Sequence, residues 1–161
     1  GISGGGLDEE ATRDIFAVNM AGVLNTLFPV IEPMRRRRRG QIALTSSMSG
    51  YIGMPGAPAY SASKVMVKAY GEALRGRLKR DGIRVSVICP GFVESRLTAK
   101  NKFKMPLLMK ADKAALIIAR GLAKNRIIIA FPWPIVALMY FLKLLPAELA
   151  SRLLSRVPEK D

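Results

Sequence analysis

Three short runs rich in apolar and β-branched residues, at 41–45, 83–89 and 126–131, alternate with longer segments that read as helices. Strands that are apolar throughout, separated by helices, predict an α/β chain whose parallel sheet is covered by helices on both faces. Residues 8–28 form the first helix on this reading. Ile15, Val18, Val23, Leu24 and Leu27 recur at helical intervals, and Asp8, Glu9 and Glu10 suit an N-terminal turn. Pro29 and Pro33 are expected to disrupt its end. After the first strand, Gly50, Gly53, Pro55, Gly56 and Pro58 mark a loop, and residues 59–79, rich in Ala, Lys, Arg and Leu, predict a second long helix. Asp81 and Gly82 stop that helix, and the second strand ends abruptly at Pro90 and Gly91. A polar, Lys-rich connection at 94–110 then precedes a helix at 112–124.

With 161 residues, half of them hydrophobic, the chain can build one sizeable core. The expectation is one domain over 1–161 with an apolar extension from about 132. That extension, FPWPIVALMYFLKLLP, is apolar for about a dozen residues, short of the roughly 20 needed to span a bilayer. It is a candidate wall of a substrate pocket, subunit contact or membrane-surface element. Residues 147–157 predict a final amphipathic helix, with Arg152 and Arg156 beside leucines.

Composition removes whole classes of chemistry. There is no histidine, so His-based triads, proton shuttles and metal sites are excluded, and no metal is expected. The single cysteine, Cys89, excludes a disulfide framework and a cysteine zinc site, and reads as a small buried residue without a role. A reducing, cytoplasmic setting is compatible. The opening GISGGGLDEE has neither the basic nor the apolar part of a secretory signal and no initiator Met, so the chain is expected to start inside a gene. Its glycines lack the preceding strand and the spacing of a dinucleotide fingerprint. A net charge of +14 favours nucleic acid, anionic lipid or a polyanionic cofactor as partner. The five arginines at 35–39 lie opposite the strand end where ligands gather, so a solvated turn is expected there and no nucleic-acid partner.

The densest chemical constellation is Ser47, Tyr60 and Lys64, in TSSMSGYIGMPGAPAYSASK. Tyr60 and Lys64 are four residues apart, so on a helix both project from one face and the ammonium approaches the phenol. A cation there favours phenolate and lowers a pKa that is ordinarily about 10, which suits Tyr60 to acid/base work. A Ser47 hydroxyl at the strand end could polarise a carbonyl as charge grows on its oxygen.

These residues resemble the short-chain dehydrogenase/reductase family, whose active-site motif is Tyr-x-x-x-Lys with an upstream Ser. The resemblance covers nearly the whole chain. Ser47 stands thirteen positions before Tyr60, the family's usual spacing, whereas Ser46 and Ser49 do not. Asn19, in FAVNMAG, resembles the family's fourth catalytic residue, whose amide would hold a water that relays protons to Lys64. CPGFVESRLT resembles the family's Pro-Gly-x-Val-x-Thr stretch beside the nicotinamide, with Ser95 where Thr is usual. The resemblance therefore implies a partial, doubly wound Rossmann-like sheet of about three strands. It implies catalysis by Asn19, Ser47, Tyr60 and Lys64, and NAD or NADP held by Tyr60, Lys64, Pro90, Gly91, Val93 and Ser95. It also implies a small, hydrophobic carbonyl or alcohol substrate and a homo-oligomer, with peripheral membrane contact through the tail as a further candidate.

The family's Gly-rich turn and pyrophosphate site are not among these residues, and Gly1 would be the last residue of its Asn-Asn-Ala-Gly motif. On that reading the 41–45 strand exposes an apolar edge, and the chain by itself aggregates or binds dinucleotide feebly. Two rival readings remain at the level of sequence. Ser61 to Lys64 spells the Ser-x-x-Lys of penicillin-binding serine hydrolases, but no Ser-Asp-Asn or Lys-Thr-Gly accompanies it. A basic, non-catalytic or membrane-associated binding module on the same fold is the other.

Overall fold

A computed structural model of the chain describes residues 7–96, 98–100 and 105–155. Three strands, β1 (Gly40–Thr45), β2 (Ile83–Pro90) and β3 (Ile128–Phe131), form a sheet ordered β1-β2-β3 with both pairings parallel. Helices α1 (Glu9–Phe16) and α2 (Gly22–Arg36) precede β1, α3 (Pro58–Leu78) joins β1 to β2, and α4 (Ala111–Ala123) joins β2 to β3. Two helices follow the sheet, α5 (Trp133–Leu144) and α6 (Ala147–Leu154). The expected α/β, Rossmann-like architecture is thus present, with the strand bounds and, the first helix apart, the expected helix bounds within a few residues of those read from the sequence.

Alternation along β2 explains the layering. Ile83 and Val85 face a core shared with Leu27 and Ile31 of α2, Ile42 and Leu44 of β1, and Val67 and Leu78 of α3. Farther along the same face, Val87 and Cys89 join Met48, Tyr51, Met139 and Leu142. Ile88 points the other way, to Ala114 of α4 and to Ile129 and Phe131. Gly71 lets α3 lie directly on the sheet, since a Cβ there would stand 2.5 Å from Val87 Cγ2.

The first helix departs from its expected end. Helix runs on from Glu9 to Arg36, through Pro29 and Pro33, and the turn between α1 and α2 (Ala17–Ala21) is a π-helix. Pro29 and Pro33 are exposed, as is Asn25, so the carbonyls that lose their donors belong to exposed residues, on a side water can reach. Two interior prolines cost about 3 kcal/mol each, whereas burying Ile15, Leu27 and Ile31 contributes about 1.5–3 kcal/mol each and Val23 and Met34, packed against the core, add to this. Packing therefore outweighs propensity. This helix is long and apolar enough, by length and composition, to cross a bilayer, yet Ile15, Leu27 and Ile31 are buried inside the fold.

At the far end of α3 the expected stop is present: Gly82 adopts φ 73. Arg75 then staples α3 to the sheet, donating to Val85 O at 2.7 Å and to Oδ1 and O of Asn125, each at 3.0 Å. The arginines at 35–39 end α2 at the N-terminal edge of the sheet, where Arg35 Nε meets Asp81 Oδ2 at 2.8 Å and the other four are exposed. The final helix closes at Leu154; Arg156, Val157 and Gly1 lie outside the described residues.

Candidate active site

Parallel strands gather their C-terminal ends on one edge, and β1 delivers Ser46 and Ser47 there. The two serines diverge because side chains alternate along an extended chain. Ser46 is buried: its N–H donates to Ile88 O at 2.8 Å, and its hydroxyl donates to Lys64 O at 2.7 Å. Ser47 is half-buried; its Oγ accepts from Ser49 N at 3.2 Å and hydrogen-bonds the Tyr60 phenol. Gly50 permits this approach, since a Cβ there would stand 2.5 Å from Ser46 Oγ and 2.7 Å from Lys64 O.

Helix α3 begins beside this loop with Pro58 in its first turn, a position where a missing N–H is harmless. Tyr60 and Lys64 sit one turn apart, with Lys64 Nζ 5.5 Å from the Tyr60 ring centroid. The ammonium donates to Thr45 O at 3.2 Å. Electrostatics depart from the expectation. Burial pushes the Tyr60 phenol above its ordinary value, and the Ser47 hydrogen bond only partly opposes this. Burial likewise lowers Lys64. Burial is the largest influence on the phenol, and Tyr60 is held neutral.

Asn19 lies in the π-helical turn, half-buried, and its Nδ2 donates to Ser63 Oγ at 3.1 Å. Ser63 in turn donates to Tyr60 O at 2.7 Å. Asn19 thus reaches the Tyr60 turn through a hydroxyl that the sequence reading did not single out. Ser61 does similar local work, accepting from Met54 N and donating to Pro58 O, both at 3.1 Å. The only sequence signal for these serines is their small size within Tyr-Ser-Ala-Ser-Lys. Ser61 is spent on backbone groups of Met54 in the preceding loop and Pro58 in the first turn of α3, not on Lys64, which gives no support to a Ser-x-x-Lys nucleophile.

The second strand brings Pro90 to the same edge, and Gly91 N donates to Phe131 O at 2.7 Å. A Cβ on Gly91 would stand 3.0 Å from Pro132 Cδ and 3.5 Å from Ile135 Cδ1. Beyond it, Val93 bridges in parallel to Met109 through the N–H of Glu94 and the carbonyl of Phe92. The Val93 carbonyl accepts from Thr98 Oγ1 at 2.8 Å, and Ser95 and Thr98 exchange capping bonds: Ser95 N to Thr98 Oγ1 at 2.8 Å, Thr98 N to Ser95 Oγ at 3.1 Å. Thr98 was not foreseen. It occupies groups expected to face a cofactor.

An apolar cleft of about 280 Å³ opens between the loop after Ser47 and the tail, lined by Ile52, Pro55, Leu142, Leu145, Ala150 and Leu154 among others. Tyr140 of α5 meets Tyr51 edge-on at 5.3 Å, which ties the tail to that loop.

A tyrosine, a lysine and a serine thus converge at the C-terminal edge of a parallel sheet. Residues 4–105 match the short chain dehydrogenase family, and the chain belongs to it. An uncharacterized oxidoreductase of Myxococcus xanthus is 39% identical over 140 residues, which is 87% of this chain and 55% of that protein. Cyclopentanol dehydrogenase of a Comamonas species is 40% identical over 91 residues, 56% of this chain and 36% of the enzyme. The chain thus spans about half the length, or less, of these curated relatives. Among solved structures, a short-chain dehydrogenase from Sphingobium yanoikuyae in complex with NADPH aligns with a TM-score of 0.74 at 17% identity, covering 95% of this chain and 59% of that one. That likeness shows the fold.

Proposed function

We propose that this chain is the proton-transfer half of an NAD(P)-dependent oxidoreductase acting on a hydrophobic carbonyl or alcohol. One observation carries the reading: the Ser47 hydroxyl is bonded to the Tyr60 phenol while the Lys64 ammonium rests against the same ring. Tyr60 Oη, kept protonated by burial, gives its proton to the carbonyl oxygen as negative charge develops there, and takes it back when an alcohol is oxidised. Ser47, oriented by the Ser49 N–H, hydrogen-bonds that oxygen and steadies its charge. Asn19 acts through Ser63 as a positioning residue for the Tyr60 turn.

The residues present fit a nicotinamide nucleoside. An ammonium has three N–H donors, and Lys64 gives one to Thr45, so it can also hold a ribose diol. Pro90, Gly91, Val93 and Ser95 would line the nicotinamide end, with the Val93 N–H lying outside the Met109 bridge. The bound cofactor supplies the hydride. Among the described residues there is no Gly-rich strand–turn–helix motif of the kind that cradles a pyrophosphate, and this chain on its own is expected to bind dinucleotide weakly. The cleft beside α5 and α6, apolar in its lining, supports a hydrophobic substrate. Exposed Phe28 and Val30 on α2 and Val65 on α3 support a homo-oligomer.

The test is ketone reduction by NADH and NADPH, followed by nicotinamide absorbance in protein from the complete gene, with the 161-residue chain measured alongside. Tyr60→Phe is expected to lower turnover by about 10²–10⁴-fold, with a much smaller loss of cofactor affinity. Turnover equal to that of the parent would overturn the assignment.

A further inference from the structure

We infer that the outer face of α5 is a docking surface for an anionic lipid membrane. Helix α5 is apolar all round apart from Lys143, and its fold explains only one side. Met139 and Leu142 are buried against the loop after Ser47, with Ile135 and Val136 packed beside them. The opposite side carries Trp133, Ala137, Phe141 and Leu144, which recur at 0, 4, 8 and 11 residues and so form one stripe three turns long. Trp133 is 78% exposed and Leu144 85% exposed, and Leu149 and Leu153 of α6 are exposed apolar side chains too. Leu107 and Leu108, in the segment after β2, are exposed as well.

The stripe does not flank the free ladder edge of β1, which lies at the other side of the sheet; α5 follows β3. What covers it is indicated by charge. The chain carries +14, and residues 94–113 hold six lysines and arginines against two acidic residues, in a connection that leaves the same C-terminal edge of the sheet from which α5 departs. Two copies meeting through α5 would bring these basic connections together, whereas a surface of anionic headgroups attracts them. Trp and Phe side chains suit the boundary between headgroups and acyl chains, and an apolar helical face with basic surroundings lies in that boundary rather than crossing it. Docking by this face would put the apolar cleft between α5, α6 and the Ser47 loop next to the bilayer, where hydrophobic substrates partition.

Trp133 is the only tryptophan, so it reports on this face alone. The 161-residue chain is titrated with phosphatidylglycerol vesicles and, separately, phosphatidylcholine vesicles, while Trp133 emission and co-sedimentation are followed. A blue shift with the anionic vesicles is expected, weakened at high salt and reduced about ten-fold or more in apparent affinity by the exposed double change Phe141→Ser, Leu144→Ser. That variant should keep the parent's circular dichroism and monomer charge. Four results would overturn the inference: no shift, an undiminished shift in the double variant, equal binding to neutral vesicles, or a shift that appears without vesicles as protein concentration rises, which would mean a second copy covers the face. Sedimentation with Trp133 emission unmoved would place the contact elsewhere, for example on the Glu9–Arg36 helix, and overturn it too.

Discussion

The start of α3 and the whole of α5 both lie at the C-terminal edge of the sheet, yet they are built on opposite terms. Around α3, backbones approach through Gly50 and Gly71, and small hydroxyls from Ser46, Ser61 and Ser63 satisfy the carbonyls that this closeness strands. Around α5, contact is made by large apolar side chains on one side only, and Trp133 and Leu144 stand in solvent. Precision in side-chain placement resides where the spacing is tight and small hydroxyls meet the nearby carbonyls. Adaptability resides where contact is apolar and one-sided.

Four measurements would break or sharpen this contrast. Gly50→Ala forces a Cβ into Ser46 Oγ and Lys64 O, and should lower stability by about 2–3 kcal/mol in chemical denaturation. Arg75→Met strands Val85 O and the Asn125 groups and should cost about 2 kcal/mol by the same assay.

Alkali should weaken the fold by about 1–3 kcal/mol between pH 9 and 11. Burial raises the Cys89 thiol from 9.0 to about 11, and raises the Tyr60 and Tyr51 phenols as well. A folded pKa above the unfolded one gives stability that is complete below the unfolded value and is lost as pH climbs toward the folded value. Lys64, lowered by burial, runs the other way but is one group against three. Cys89→Ala should flatten the profile, and an unchanged profile would mean that the thiol is not the titrating group. Smallest of all, Leu144→Ser should change the denaturation midpoint by less than about 0.5 kcal/mol, in keeping with its exposure. A loss comparable to that of Gly50→Ala would erase the distinction between the two regions.

Much of this was legible because it is written in local periodicity. The strand ends at Thr45, Pro90 and Phe131 follow from apolar runs and punctuating residues, and the shared face of Tyr60 and Lys64 follows from helical spacing. Ser47 could be told from Ser46 only by its distance from Tyr60, and the structure shows the two hydroxyls parting to different partners. What escaped the sequence depends on neighbours far along the chain. Asn19 meets Ser63 across 44 positions, and Gly50 is required by a carbonyl on another element. The helix persisted through Pro29 and Pro33 because burial of Ile15, Leu27 and Ile31, invisible to propensity, decides the balance. The claim of Thr98 on Val93 and Ser95 is a turn of its own that no motif advertises.

The π-helical turn at Ala17–Ala21 has a geometric effect on everything around Asn19. Ile15 and Leu27 are twelve positions apart, which on an uninterrupted α-helix would leave them about 120° out of line. One residue absorbed in the wider turn reduces the discrepancy to about 20°, so both halves of a 28-residue rod lean on the same wall. Adding a single alanine to that turn would therefore act as a twist on a key: either Ile15 or Leu27 must swing outward, and the amide of Asn19 would leave Ser63 with it, whereas removing one would leave a plain α-helix with both residues still in line.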